Sequence, residues 1–169
     1  GTKGTYNLDA DGTNPGTNYG DGDIFLPTDD IGTFTVKAGN GGYIWYGTGG
    51  DGGSISLSAI GNAINKGVSI TAGNGGDSDY YNTDEYVTGG AGGDVTLTFT
   101  NVVNGNIDAS AGNGGNIEPY INGNLTGGNG GDATLTFKNV VTNSIKLTSG
   151  SNGGNNYIST EFKGGSVTF

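Results

Sequence analysis

Clusters of glycine recur along this chain beside short alternating segments, and this recurrence constrains the fold more than any other feature. In one form the cluster comes first: GGDGGSISL from Gly49, GGAGGDVTLTF from Gly89 and GGNGGDATLTF from Gly127. In the other form the strand comes first and starts at Phe34, Val68, Ile107 and Ile145, with separations of 34, 39 and 38 residues. Self-similarity at such a period predicts a repeat architecture, in which each unit packs on the next.

The segments beside the clusters have the period of a β-strand. Val95, Leu97 and Phe99 alternate with threonines, which indicates a strand with one face turned inward. No stretch shows the period of a helix, and this density of glycine disfavours one. The sequence therefore predicts an all-β fold, a glycine-rich repeat β-solenoid similar to a parallel β-helix. We expect about four to five degenerate repeats of 34–39 residues with uncapped ends.

The repeats are expected to form a single array over residues 1–169. Residues 34–169 carry the clear repeats, and residues 1–33 carry degenerate ones. Tyr6–Gly12 (YNLDADG) resembles the strand-first form, and Gly22–Leu26 (GDIFL) resembles the cluster-first form. Segments of nearly constant length that contain Asn and Gly separate the two halves of each repeat, which is typical of corners. The segments that follow each AGNGG vary in length and form variable arms.

Two roles for the glycine clusters fit the sequence. At a tight corner the backbone needs positive φ and close approach, and glycine supplies both without a Cβ clash. Alternatively, the clusters pack as extended strands made only of glycine, backbone against backbone. Their regular spacing from the strands argues against flexible linkers.

Composition limits the chemistry that is available. Only 31% of the residues are hydrophobic, so we expect a thin core, and without Cys or His there are no disulfides and few zinc sites or nucleophile–base pairs. The net charge of −10 argues against nucleic acid or an anionic membrane as partner. No apolar run is long enough to span a bilayer. Acidic pairs such as Asp29–Asp30 are not placed across a cleft by any pattern. We expect a protein that is not an enzyme.

The order of glycine cluster, strand, corner, strand and glycine cluster in Gly92–Gly115 resembles the repeats of large secreted bacterial surface proteins. These are the glycine-rich β-solenoids of the filamentous-haemagglutinin and autotransporter-adhesin type. The resemblance covers roughly Phe34–Phe169. It implies a right-handed parallel β-solenoid, secretion, and adhesive or scaffold function, and it carries over no catalytic residue.

Two acidic residues follow glycine clusters in a way that resembles a calcium-binding nonapeptide. GGAGGD and GGNGGD end at Asp94 and Asp132, and such sites use carboxylate and carbonyl oxygens. The large apolar residue that the motif requires at its eighth position is replaced by Thr96 or Thr134. Turn-forming or capping aspartates are therefore favoured, and no cofactor is expected. Calcium bound elsewhere, for example at Asp9, Asp11, Asp21 and Asp23, is the alternative.

Hydroxyl and aromatic side chains supply two further candidate surfaces. A flat threonine array can bind ice, and a hydroxyl ladder is expected from stacked outward residues: Ser54, Ser56 and Ser58, Thr96, Thr98 and Thr100, and Thr134 and Thr136. Threonine also suits exposed strands in general, and Asp94, Asp108, Lys138 and Lys146 interrupt the pattern. Exposed aromatic residues are typical of contact surfaces such as glycan sites, or they cover gaps left by glycine. The candidates lie in the variable arms: Tyr43, Trp45, Tyr46, Tyr80, Tyr81, Tyr86, Tyr120 and Tyr157.

The order of the half-motifs suggests assembly. The sequence stops within a cluster-first motif, at Ser166–Phe169, and starts close to a strand-first motif at Tyr6, so a second copy would continue the order. We expect Val167 and Phe169 of one copy to pack near Tyr6 and Leu8 of the next. This predicts a structural subunit of an extracellular or cell-surface filament whose main partner is itself. The alternative is a segment of a secreted adhesin that binds glycans or host surfaces.

Overall fold

The computed structural model describes residues 6–10, 31–45, 47–60, 64–80, 87–99, 105–119, 125–137, 144–154 and 164–168. Within these ranges all regular structure is β, and no helix long and apolar enough to cross a membrane is present. The strands are β1 (Tyr6–Ala10), β2 (Ile31–Ala38), β3 (Ile55–Ile60), β4 (Ile64–Thr71), β5 (Ser78–Tyr80), β6 (Val87–Thr88), β7 (Val95–Phe99), β8 (Asn106–Ser110), β9 (Ile117–Pro119), β10 (Leu125–Thr126), β11 (Ala133–Phe137), β12 (Ile145–Thr148) and β13 (Val167–Thr168).

The strands form two larger and two smaller parallel sheets. Sheet A has the order β1-β2-β4-β8-β12, and sheet B has the order β13-β11-β7-β3. Sheet C pairs β5 with β9, and sheet D pairs β6 with β10. From β4 onward the chain visits sheets A, C, D and B in turn and then returns to sheet A. The prediction of an all-β fold built from stacked parallel strands is confirmed, and the path is that of a β-solenoid-like stack.

The register between strands places equivalent motif positions next to each other. In sheet A, Phe34 lies opposite Val68, Val68 opposite Ile107, and Ile107 opposite Ile145. Tyr6 lies opposite Phe34, so the degenerate motif at the start of the chain pairs as the clear ones do. Because side chains on a strand alternate between faces, this register keeps every apolar set on one side.

The main core lies between sheets A and B and is thin. The alternating residues of β7 and β8 supply its centre, where Leu97, Phe99 and Ala109 have no exposed surface. Phe99 stacks on Phe137 with ring centroids 5.4 Å apart. A second, smaller core between sheets C and D contains Val87, Ile117 and Leu125.

Two layers of glycine-rich backbone separate these cores. Glycine layer 1 contains residues 39–42, 73–76, 112–115 and 150–154, and leads from sheet A to sheet C. Glycine layer 2 contains residues 49–53, 89–93, 127–131 and 164–165, and leads from sheet D to sheet B. The layers are joined by backbone hydrogen bonds: the N–H of Gly73 donates to the carbonyl of Gly53 at 2.9 Å, and that of Gly76 donates to Gly50 at 2.7 Å.

Hydrogen bonds in these layers repeat every three residues. One repeat of the stack, with its strands and its two glycine segments, is here called a rung. Gly73 and Gly76 donate across to the other layer, whereas Gly75 donates to the Asn113 carbonyl of the next rung at 2.7 Å. The N–H of Asn74 binds the side-chain oxygen of Asn40 on the previous rung. Three directions in three residues is the period of a polyproline II helix, in which backbone groups are available to neighbours on all sides.

Close approach, and not positive φ, explains the glycine clusters. In the described residues positive φ occurs at Gly47 and Gly67, and both lie outside the clusters. A Cβ at Gly112 would lie 1.7 Å from the carbonyl oxygen of Gly73. The expectation of positive φ in the clusters is therefore wrong, and the close approach of backbone to backbone, which both interpretations contained, is observed. The clusters are not β-strands, and each cluster carries a side chain such as Asn74 or Ala91 between its glycines.

Candidate functional site

The three-residue period of glycine layer 1 directs every third side chain to the solvent. On one rung these residues are Thr71, Asn74 and Asp77, and all three are exposed. The corresponding residues of the other rungs are in register, which creates rows of polar side chains along the stack. The central row, here called the amide row, consists of Asn40, Asn74 and Asn113.

Each side chain of the amide row bonds to the next rung. The oxygen Oδ1 of Asn40 accepts the N–H of Asn74 at 2.9 Å, and Oδ1 of Asn74 accepts the N–H of Asn113 at 2.8 Å. Oδ1 of Asn113 accepts the N–H of Ser151 at 2.9 Å. These bonds satisfy the backbone donors that the three-residue period turns away from the other layer, and they fix the orientation of the amides.

A second row, the carboxylate row, runs along the edge of sheet B and contains Ser54, Asp94, Asp132 and Ser166. Oδ1 of Asp94 accepts the N–H of Asp132 at 2.8 Å, and Oδ1 of Asp132 accepts the N–H of Ser166 at 2.6 Å. The hydroxyl of Ser166 donates to the same oxygen at 2.9 Å. These two donors, the backbone N–H first, lower the pKa of Asp132. The carboxylates therefore act as links between rungs.

The calcium hypothesis finds no cluster of ligands in the described part of the chain. No group of three or more Asp or Glu residues is close enough there to hold a metal ion. Asp94 and Asp132 each use one carboxylate oxygen for the ladder bond. Of the scattered candidates, Asp9 lies in β1, and Asp11, Asp21 and Asp23 lie outside the described residues.

The outer face of sheet B carries hydroxyl rows in register. Ser56, Thr96, Thr134 and Thr168 form one row, and Thr98 and Thr136 form a second. Asp108 and Lys146, which interrupt the pattern in the sequence, lie opposite each other on sheet A, with Lys146 Nζ 3.7 Å from the Asp108 carboxylate. The predicted rows are in register at the described threonines and at Ser56, and these two charges are on the other sheet. Asp94, in contrast, is exposed next to the rows, because it directly precedes β7 and bonds to Ser54. Thr100 and Lys138 lie outside the described residues, and the side chain of Ser58 is not among those described.

Two of the predicted aromatic contact residues are exposed on either side of Ile44, which forms an isolated parallel bridge to Ser78 of β5. Tyr43 is 41% exposed and Trp45 is 53% exposed, and their rings meet edge to face with centroids 5.7 Å apart. The hydroxyl of Tyr43 donates to the carboxylate of Asp79. Tyr80 ends β5, and its side chain is not among those described; the others lie outside the described residues: Tyr46, Tyr81, Tyr86, Tyr120 and Tyr157.

The predicted assembly residues lie on edge strands at opposite ends of the stack. Tyr6 and Leu8 belong to β1, which occupies one edge of sheet A. Val167 belongs to β13, the edge strand of sheet B at the opposite end of the stack from β1. Phe169 lies outside the described residues. Tyr6 and Leu8 are therefore not brought together with Val167 within one copy.

Sequence reasoning missed the amide row, although a signal for it was present. Asn40, Asn74 and Asn113 occupy the same place in the three AGNGG segments, and the residues three positions before and after them are mostly polar. A period of three next to glycine, once noticed, would have predicted outward rows of this kind.

No family model matches this sequence, and the comparison with curated proteins found no match. Among solved structures, the chain is similar to an antifreeze protein from the springtail Granisotoma rainieri, described as a bundle of nine polyproline type II helices. The identity is 24%, the alignment covers 96% of this chain and 95% of that one, and the TM-score is 0.39. A TM-score this low does not establish a shared fold, so the function of this chain has to be argued from its own geometry.

Proposed function

We propose that this chain is a structural subunit of an extracellular filament, a stack of about four to five repeats that joins head to tail by β-strand pairing. The observation that supports this proposal is the exposure of core positions on the last described rung of sheet A. Ile107 is 1% exposed, whereas Ile145, opposite it in register, is 36% exposed. Leu147 is only partly buried, whereas its partner Ala109 is fully buried.

The topology suits repeated addition of copies. All paired strands are parallel and their order along the stack is constant, so a copy shifted along the stack presents β1 to β12 with the same polarity. Continuing the register would set Tyr6 and Leu8 of that copy beside Ile145 and Leu147. A contact between two different surfaces does not close on itself and therefore produces a filament. Val167 of sheet B would then face the joint from across the core.

The alternative occupant of the exposed rung is a further coil of a longer surface protein. Such a coil would pair with β12 in the same register and cover the same apolar positions. The chain would then be a segment of a secreted adhesin, which is the alternative to the filament subunit. The two proposals differ in one measurable property, because only a self-assembling subunit polymerises when it is isolated.

Electron microscopy of the purified chain tests the filament proposal. We expect filaments in which strands run across the axis, and we expect Ile145→Asp to abolish or shorten them, because a charge would enter the apolar joint. Thr148→Asp is the control, since Thr148 is an exposed outward residue of the same strand. A wild-type chain that stays monomeric at all concentrations contradicts the filament and favours the longer surface protein.

A second candidate function, ice binding, is favoured by the hydroxyl rows of sheet B. Neighbouring rungs are about 4.8 Å apart, and alternate residues of one strand are about 6.6 Å apart. Thr96, Thr98 and Thr136 thus lie at regularly spaced positions in two directions on the outer face of sheet B. Such a surface can hold water in an ordered array.

Thermal hysteresis and inhibition of ice recrystallisation test this second candidate. The wild-type chain should show both activities, and Thr96→Lys should remove most of them by placing a long charged side chain within the row. Thr71→Lys, at an exposed position on sheet A, should leave them unchanged. Absence of both activities in the wild-type chain, or equal loss in the two variants, contradicts ice binding.

A further inference from the structure

Two furrows run along the stack on either side of the amide row. The first has a volume of about 460 Å³, and its walls are the amide row and the exposed residues Lys37 and Thr71 with Ser110. The second has a volume of about 350 Å³, and its other wall contains Tyr43, Asp77 and Asn116. Both volumes fall within the range of small-molecule sites in proteins, about 300–1,000 Å³.

Backbone and small side chains form the floors of both furrows. Gly41, Gly75, Gly76 and Gly114 line the second one, and Ala38, Gly39, Ala72 and Ala111 line the first. Outward residues are three positions apart, which is about 9 Å at the rise of a polyproline II helix. Each furrow is therefore open along its length and wide enough for one unbranched chain of rings.

The amide row supplies regularly spaced donors to the furrows. Because Oδ1 of each Asn accepts a backbone N–H, the amide orientation is fixed and the two N–H groups of Nδ2 remain for another acceptor. No acceptor for these Nδ2 groups is found among the described residues. Successive donors follow the rung spacing, about 4.8 Å. Along the second furrow, Asp77 and Asn116 provide oxygen acceptors on the opposite wall. Oδ1 of each also accepts a backbone N–H of the next rung, from Asn116 and Gly154 respectively.

An aromatic residue stands in the second furrow on its first rung. The ring of Tyr43 is held by the bond from its hydroxyl to Asp79 and by its edge-to-face contact with Trp45. A ring of this kind stacks on the apolar face of a sugar, while the amides and the carboxylate bind sugar hydroxyls. The net charge of −10 repels anionic ligands and so favours neutral ones.

From these observations we infer that the second furrow binds an extended, neutral oligosaccharide that lies parallel to the stack. One ring stacks against Tyr43, and the following rings place their hydroxyl oxygens on Nδ2 of Asn74 and Asn113. Asp77 accepts a hydrogen bond from a hydroxyl on the opposite edge of the sugar chain. The inference is independent of the filament proposal, because all these residues belong to one copy.

Isothermal titration with β-1,4-linked neutral hexasaccharides (cellohexaose, chitohexaose and mannohexaose) tests the site, with hexagalacturonate as the anionic comparison. We expect saturable binding of at least one neutral hexamer and weaker binding of the anionic one. Asn74→Asp and Asn113→Asp keep the oxygen that accepts the ladder bond and remove the Nδ2 donor. Each should weaken binding of the neutral hexamer about fivefold to tenfold.

Asn129→Asp is the matched control, because it makes the same change in an exposed residue of glycine layer 2. It should leave the affinity unchanged, and thermal unfolding should show that all three variants are folded. The inference is overturned if no neutral hexamer binds at millimolar concentration. Equal weakening in Asn129→Asp, or tighter binding of the anionic hexamer, overturns it as well.

Discussion

Replacing Gly115 by alanine should destabilise the fold by more than about 3 kcal/mol, at or beyond the upper end of the range for overpacked sites. A Cβ at Gly115 would lie 2.0 Å from the carbonyl oxygen of Gly76 and 2.5 Å from its carbon. Both are backbone atoms, so no side chain can rotate away. Residues 112–115 would have to move away from residues 73–76 of the neighbouring rung in the same layer. That movement would disturb the bonds that join the two layers here, from Gly115 N–H to Gly90 and from Gly128 N–H to Gly115.

Gly154→Ala is the matched control for this experiment. A Cβ there meets only the side-chain oxygen of Asn116, at 3.4 Å. Alanine also restricts the unfolded chain, so this variant should be neutral or more stable by up to about 1 kcal/mol. Chemical denaturation measures both free energies of unfolding. If Gly115→Ala is as stable as Gly154→Ala, the close packing of the glycine layers is wrong.

Replacing Phe99 by alanine should reduce the free energy of unfolding by about 3–5 kcal/mol, the usual cost of truncating a buried aromatic residue. Phe99 has no exposed surface and stacks on Phe137 at the end of the core. The core is thin, so few neighbouring side chains can move in to fill the cavity. The truncation should therefore fall near the upper end of this range.

Phe137→Ala provides the comparison, because Phe137 lies opposite Phe99 on the next rung and is only partly buried. It should cost clearly less, since part of its surface already faces solvent. Thermal and chemical unfolding of the two variants give the difference. Equal losses of unfolding free energy in the two variants would contradict the lower burial of Phe137 relative to Phe99.

The exposed end of the core also connects stability with the proposed assembly. Core positions that are sealed on interior rungs become accessible at Ile145, so a joint with another copy would bury them. Stabilisation that depends on concentration is expected of such a joint, because the associated state is favoured by mass action. An unfolding midpoint that rises with protein concentration would be consistent with the electron-microscopy prediction for Ile145→Asp.

Much of the fold could be predicted from the sequence alone. The alternation in Val95–Phe99 predicted a strand with one buried face, and the spacing of the strand-first motifs predicted which strands lie side by side. Both predictions depend on side chains: a period of two sorts apolar from polar groups, and repetition aligns like with like. The chain thus carried enough local information to specify sheets A and B and the core between them.

The arrangement of the glycine layers was decided only by tertiary structure. A run of glycines has no side chains to sort, so nothing in its sequence says that Gly115 meets Gly76 and Gly90. That choice depends on satisfying backbone donors in three directions at once, which requires neighbours from other rungs and from the other layer. The sequence determined which residues are buried, and the packing of backbone against backbone determined which surfaces remain for binding.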